Sequence, residues 1–138
     1  MTSLHTSPFV DGELMPVFVY GTLQPGEVRW FALDGKVLVP EGEPDTVRGR
    51  LWDTGFDYPA LTLDEPAVSV PGHVLRLLPD TAIDTWTLLV DIEGGVDSSY
   101  QPQIITTESG VRALAFPYSA APPDHFVAIT RWRHGPQA

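Results

Sequence analysis

Glu93 is the acidic residue of this sequence best placed to transfer a proton. Residues 80–93 predict a helix, because they begin with the capping residue Asp80 and are followed by Gly94. One face of this helix is apolar and comprises Ile83, Trp86, Leu89 and Val90. At about 100° per residue, Glu93 falls on the same face, where a carboxylate must be paired, hydrogen-bonded or given a raised pKa. Either Glu93 is a general acid and base, or the helix frays and the side chain turns into water.

A glycine turn after the first apolar run is the second candidate for chemistry. Tyr20, Gly21, Thr22 and Leu23 come directly after a run typical of a buried strand. Backbone N–H groups in such a turn can form a concave site for an anion. We predict at least two of these groups pointing into a cavity shared with Glu93; the alternative is an ordinary hairpin turn. The turn lacks the Gly-x-x-x-x-Gly-Lys pattern of nucleotide-binding loops.

The other acidic residues indicate no distinct chemistry. Asp91, Glu93 and Asp97 lack the spacing of a calcium loop and have no nearby histidine, so we expect no metal. Glu93 with Asp53 or Asp57 would imitate the carboxylate pair of a glycosidase, but nothing in the sequence sets their separation.

Composition excludes several classes of protein. The sequence has no cysteine, which removes disulfides, zinc ribbons and thiol catalysis. Eighteen acidic residues against eight basic ones give a net charge of -10, which disfavours nucleic acid and anionic membrane surfaces as partners. No apolar run approaches the about 18 residues of a membrane span. We therefore expect a cytoplasmic protein that binds neither nucleic acid nor an anionic membrane.

Short strands must position these groups. Apolar or alternating runs separated by turn residues predict strands at residues 16–20, 36–39, 47–52, 68–78, 103–107 and 111–116. Short strands at this spacing favour a small barrel or a strongly curved sheet. Residues 1–15 are polar and without pattern, so we predict a flexible leader there and a single domain over residues 16–138.

Several motifs occur in the order and spacing of one known family. They are residues 17–23 followed by Pro25 and Gly26, residues 47–55 with Tyr58 and Pro59, residues 70–74, and residues 91–94 with Tyr100. With these motifs the sequence resembles the gamma-glutamylcyclotransferase-like family, which includes AIG2-like proteins and gamma-glutamylamine cyclotransferases. The resemblance covers most of residues 16–118.

The resemblance implies an α+β fold, a small mixed β-barrel with one main helix, in which the glycine turn and Glu93 face one pocket. It implies that the substrate's α-amine attacks its own γ-carbonyl, forming 5-oxoproline and releasing an amine or peptide without a cofactor. In the family the glutamate that matches Glu93 is the acid/base residue. The substrate-binding residues implied are Tyr20, Gly21, Thr22, Leu23, Tyr100 and Tyr118.

Two departures from the family pattern leave the function open. Gln101 and Pro102 stand where the family commonly has arginines, and Phe116 stands where it often has a tyrosine. Tyr118 shares the face of Phe116 in an extended strand. The sequence thus favours a cyclotransferase, with a non-catalytic small-ligand binding protein on the same fold as the alternative. An interaction module with a vestigial pocket is a weaker third interpretation.

Overall fold

A curved mixed sheet and one helix make up most of the structure. The structure is a computed structural model that describes residues 7–27, 29–56, 58–64, 67–96 and 99–132. The helix α1 is Ala82–Val96, preceded by a 3-10 turn at Pro79–Thr81, and a second 3-10 turn lies at Trp30–Ala32. The strands are β1 Phe9–Val10, β2 Glu13–Leu14, β3 Val17–Val19, β4 Glu43–Asp53, β5 Pro59–Thr62, β6 Val68–Leu75, β7 Gln103–Thr106, β8 Arg112–Ala115 and β9 Val127–Ile129.

The sheet of the described residues has the strand order β5-β4-β6-β3-β8-β7, with β9 paired to β4. Strands β3 and β8 run parallel, with Val17 opposite Leu114, and the other neighbours are antiparallel. The backbone N–H of Tyr118 donates to the carbonyl of Leu61 at 2.7 Å, which joins the segment after β8 to β5. The sheet therefore curls into a half-barrel, and the predicted α+β fold with one main helix is confirmed.

Helix α1 packs its apolar face into this half-barrel. Trp86 and Leu89 are fully buried, and the Trp86 ring stacks on Phe116 with centroids 5.1 Å apart. The predicted apolar face is wrong at Ile83, which is 58% exposed, whereas Ala82 is fully buried. The packed face therefore runs through Ala82, Thr85, Trp86 and Leu89, which are all buried.

The helix also runs further than the glycines indicated. It continues through Gly94 to Val96, so the prediction that it ends at Glu93 is wrong. Gly94 keeps helical geometry, and no atom lies within 4 Å of the position that its Cβ would occupy. A helix can therefore carry Glu93 in its last turns without fraying.

The strand predictions held for five of the six runs in sequence. The exception is the run at 36–39, where Val37 makes only an isolated bridge to Leu77. Strands β5 and β9 lie outside all the predicted runs. Both are short and rely on pairing with β4, so their partner rather than their own pattern defines them.

The start of the chain differs from the expected leader. Strands β1 and β2, inside residues 1–15, form an antiparallel hairpin, and Met15 is buried in the core. The part of the expected leader from Ser7 to Met15 is thus packed against the domain. Residues 1–6 lie outside the described residues, and the division of the chain at residue 16 stays a prediction.

Candidate functional site

A small cavity lies where β3, β5 and α1 meet. Its interior is about 20 Å³, room for about one water molecule. A larger molecule enters it only if side chains at its edge move. The residues that line the cavity are Phe18, Val19, Tyr20, Gly21, Thr22, Leu23, Tyr58, Pro59, Glu93, Tyr100 and Phe116.

Glu93 is the acidic residue of that cavity. It sits on the same face of α1 as Trp86 and Leu89, which are fully buried. Glu93 itself is half-buried, and desolvation raises the pKa of its carboxyl from 4.5 to about 7, against the opposing effect of the positive charge of Arg29. Both protonation states are therefore populated near neutral pH, as a group that accepts and returns a proton requires.

The turn 20–23 is held against β5 by a close contact of Gly21. A Cβ on this residue would lie 2.6 Å from Cγ and 2.8 Å from Cδ of Pro59, closer than real atoms approach. The backbone of Gly21 has no positive φ. Glycine is thus needed here for the approach of the proline ring, and not for a left-handed conformation.

A hydrogen-bonded brace fixes the orientation of the turn. The carbonyl of Gly21 accepts from the backbone N–H of Gln24 at 3.1 Å and from its Nε2 at 3.3 Å. The Gln24 Oε1 then faces Nδ1 of His73 at 3.0 Å. Because that oxygen can only accept, Nδ1 of His73 donates, and burial lowers the pKa of this imidazole.

This brace bears on the backbone donors of the turn. In a trans peptide the N–H points opposite to the C=O, so the Thr22 N–H is directed away from Gln24. Within the described part of the chain, no group accepts a hydrogen bond from the N–H of Gly21, Thr22 or Leu23. These donors are left to the solvent or to a ligand. That two of them point into the cavity stays a prediction.

The tyrosine hydroxyls of the site are already committed to backbone carbonyls. Tyr20 donates to the carbonyl of Phe116 at 2.8 Å, and Tyr100 donates to that of Pro59 at 2.7 Å. Burial and, after it, the charge of Glu93 raise the pKa of Tyr20 well above its usual value. Neither hydroxyl therefore has a proton left to donate to a ligand.

Further aromatic residues lie in and next to the wall of the cavity. Tyr118 meets the edge of Tyr100, with centroids 5.3 Å apart, but is not among the described residues that line the cavity. Phe116 does line it, so the ring that lacks a hydroxyl is the one inside. Tyr58 is half-buried and stacks on Phe56, which is 62% exposed. Tyr58 thus joins the cavity wall to an exposed aromatic ring.

The structure adds residues that the sequence did not single out chemically. Arg29 returns to the start of the turn: its backbone N–H donates to the Thr22 carbonyl at 2.8 Å, and its Nη1 donates to the Thr22 Oγ1 at 3.3 Å. It is the first lysine or arginine of the sequence, which is the one signal that could have drawn attention to it.

The structure gives no support to a carboxylate pair with Asp53 or to a metal site among the described residues. Asp53 accepts from the backbone N–H of Gly55 at 2.9 Å and does not line the cavity, while Asp57 and Asp97 lie outside the described residues. Among the residues described, no group of three His, Asp or Glu side chains is placed to hold a metal ion. No described helix is long and apolar enough to cross a membrane.

Comparison with known proteins identifies relatives of the whole fold. The model of the family described as gamma-glutamyl cyclotransferase, AIG2-like, matches residues 17–134. An uncharacterised protein from Pyrococcus horikoshii has a similar structure, with a TM-score of 0.62 and 20% identity, over 84% of this chain and 86% of that chain. A uropathogenic E. coli-specific protein gives a TM-score of 0.66 and 18% identity, over 84% of this chain and 87% of that chain. An AIG2-like protein from Mus musculus gives a TM-score of 0.51 and 17% identity, over 78% and 80% respectively. No curated protein matches the chain.

Proposed function

Because the chain belongs to the gamma-glutamyl cyclotransferase, AIG2-like family, we propose that it cyclises a gamma-glutamyl amine or peptide to 5-oxoproline. The observation that carries the proposal is the half-buried Glu93, whose pKa of about 7 suits proton transfer, in one cavity with the turn 20–23. In this proposal Glu93 is the catalytic residue. The substrate-binding residues are Tyr20, Gly21, Thr22, Leu23, Tyr100 and, through its contact with Tyr100, Tyr118.

The reaction moves two protons from the α-nitrogen of the substrate to its leaving nitrogen. The α-ammonium group passes the first proton to the Glu93 carboxylate, and the resulting amine attacks the γ-carbonyl carbon to close a five-membered ring. The protonated Glu93 returns that proton to the leaving nitrogen as the C–N bond breaks. The ring nitrogen then gives up its second proton, through Glu93, to the released amine, which departs as an ammonium ion and leaves neutral 5-oxoproline. Nucleophile and electrophile belong to one molecule, so positioning supplies much of the rate and no cofactor enters.

The turn has the donors that the intermediate needs. Attack on the γ-carbonyl places negative charge on its oxygen, and preorganised N–H groups stabilise such an oxyanion without reorganising. The N–H groups of Gly21, Thr22 and Leu23 can fill this role, because no described group accepts a hydrogen bond from them. The brace from His73 through Gln24 to the Gly21 carbonyl keeps the peptide plane from rotating.

Access to the cavity requires movement of its wall. An interior of about 20 Å³ is far smaller than a glutamyl group, so substrate binding displaces side chains of the cavity wall. Such side-chain and loop motions are fast compared with typical turnover. A cytoplasmic location, expected from the sequence, is part of this proposal.

The test is release of 5-oxoproline from a panel of gamma-glutamyl amines and peptides. Glu93→Gln keeps the shape of the side chain but cannot cycle a proton, so we expect turnover to fall on the order of a hundredfold or more. Asp91→Asn is the matched control. It also removes one negative charge from the same helix, but Asp91 is exposed. Equal turnover in wild type and Glu93→Gln would exclude Glu93 as the proton carrier.

One observation favours a second function. Phe116 faces the cavity without a hydroxyl, and the hydroxyls of Tyr20 and Tyr100 are engaged as donors. A protein that binds a small ligand on this fold without converting it needs no more than these groups. Ligand binding with no 5-oxoproline released from any member of the panel would establish that alternative.

A further inference from the structure

Arg29 places a positive charge at the edge of the cavity. Its backbone and its guanidinium both bond to Thr22, which lines the cavity and is itself buried. The backbone bond closes the chain from Thr22 to Arg29 into a compact loop. Arg29 is therefore fixed by hydrogen bonds at both its backbone and its guanidinium, and it is not a freely rotating surface cation.

Among the described residues, no acidic side chain forms an ion pair with that charge. The ion pairs of the described residues join Arg50 to Asp64 and Arg76 to Glu43, and Arg29 makes none. A guanidinium carries five N–H donors, and the bond to Thr22 occupies one nitrogen, Nη1. The other donors are available to an anion, for which the planar fork of arginine has the right geometry.

Glu93 and Arg29 place two opposite charges at the cavity: Glu93 lines it, and Arg29 is bonded to Thr22, which lines it. The charge of Arg29 acts on Glu93, yet the two groups form no ion pair in the described structure. The carboxylate and the guanidinium are thus two separate groups that one ligand can contact. The α-carbon of a gamma-glutamyl group carries an ammonium, which suits Glu93, and a carboxylate, which suits Arg29.

We propose that Arg29 binds the α-carboxylate of the substrate and so turns its α-amine toward Glu93. The inference rests on the proposed function and names the part of the substrate that the site recognises, which is its free α-ammonium and α-carboxylate groups. Arg29 is then a specificity-determining residue. Compounds that can form the same lactam ring but have no carboxylate would be poor ligands.

Two pairs of compounds separate binding of the carboxylate from catalysis. 5-Oxoproline and 2-pyrrolidinone are the same lactam with and without the carboxylate, and calorimetry measures their affinities. Gamma-glutamyl amide and 4-aminobutanamide are the corresponding open-chain substrates. The variants are Arg29→Met, Arg29→Lys, which keeps the charge, and Arg112→Met as the control. Arg112 is exposed at the start of β8, whereas the cavity lies beyond the end of that strand.

We expect wild type to prefer 5-oxoproline over 2-pyrrolidinone, and Arg29→Met to reduce that preference by about ten- to a hundredfold, as for loss of a hydrogen bond to a charged group. Arg29→Lys should retain part of it, and Arg112→Met should retain all of it. An unchanged preference in Arg29→Met would overturn the inference, as would a wild type that binds neither lactam or binds both equally. Turnover of the open-chain pair reports on the proposed function separately: lactam preference without any turnover would reject the enzyme and keep the carboxylate site.

Discussion

Replacing Glu93 by glutamine should stabilise the fold at alkaline pH and change it little in acid. Desolvation raises the pKa of this carboxyl from 4.5 to about 7 in the folded protein. Each pKa unit corresponds to about 1.4 kcal/mol, so ionised Glu93 lowers the free energy of unfolding by at most about 3 kcal/mol. Glutamine has nearly the same volume and no charge, and it removes this cost.

The sign follows from where the proton is bound. Below pH 4.5 the group is protonated in both the folded and the unfolded chain, so ionisation costs the fold nothing. Between pH 4.5 and about 7 the unfolded chain has lost the proton that the folded chain keeps, and stability falls as pH rises. Above about pH 7 both forms are ionised and the full cost persists.

Urea denaturation of wild type, Glu93→Gln and Asp91→Asn from pH 4.5 to pH 8.5 measures this difference. The free energy of unfolding of Glu93→Gln should exceed that of wild type by up to about 3 kcal/mol at the alkaline end and converge with it in acid. Asp91→Asn should follow wild type, because Asp91 is exposed. A difference that stays constant over the whole range would refute the argument that burial shifts the titration of Glu93.

Three further outcomes test the site. The rate of 5-oxoproline release at low substrate should rise with pH through about pH 7, because the ionised form of Glu93 accepts the proton, and a profile without that step would contradict it. Gly21→Ala should lower stability by about 1–3 kcal/mol, because the new Cβ clashes with the proline ring of β5. Gly94→Ala should raise stability by up to about 1 kcal/mol, because the space around Gly94 is open. Thermal melting of the two variants compares these effects. His73→Ala and Gln24→Ala should each weaken 5-oxoproline binding, and the double variant should be no worse than either, since both act through one brace; additive losses would show independent roles.

The helix face and the motif order were readable from the sequence. The position of Glu93 among Trp86 and Leu89 follows from the advance per residue of a helix, which depends only on local backbone geometry. The same periodicity was wrong at Ile83, because the sheet determines which part of a broad apolar face is covered. Local geometry orients side chains relative to one another and not relative to a partner element.

The sequence by itself determined that a carboxylate would lie on an apolar helix face, that a glycine turn would end a buried strand, and that no thiol could take part. Only the tertiary structure decided which distant residues meet there: Pro59 against Gly21, His73 against Gln24, and Arg29 near Glu93. These contacts depend on the register and curl of the sheet. They arise from pairing between segments tens of residues apart, and no spacing along the chain encodes that pairing. The raised pKa of Glu93 belongs to the same class, because it reflects the protein packed around the carboxyl and not the residue's neighbours in sequence.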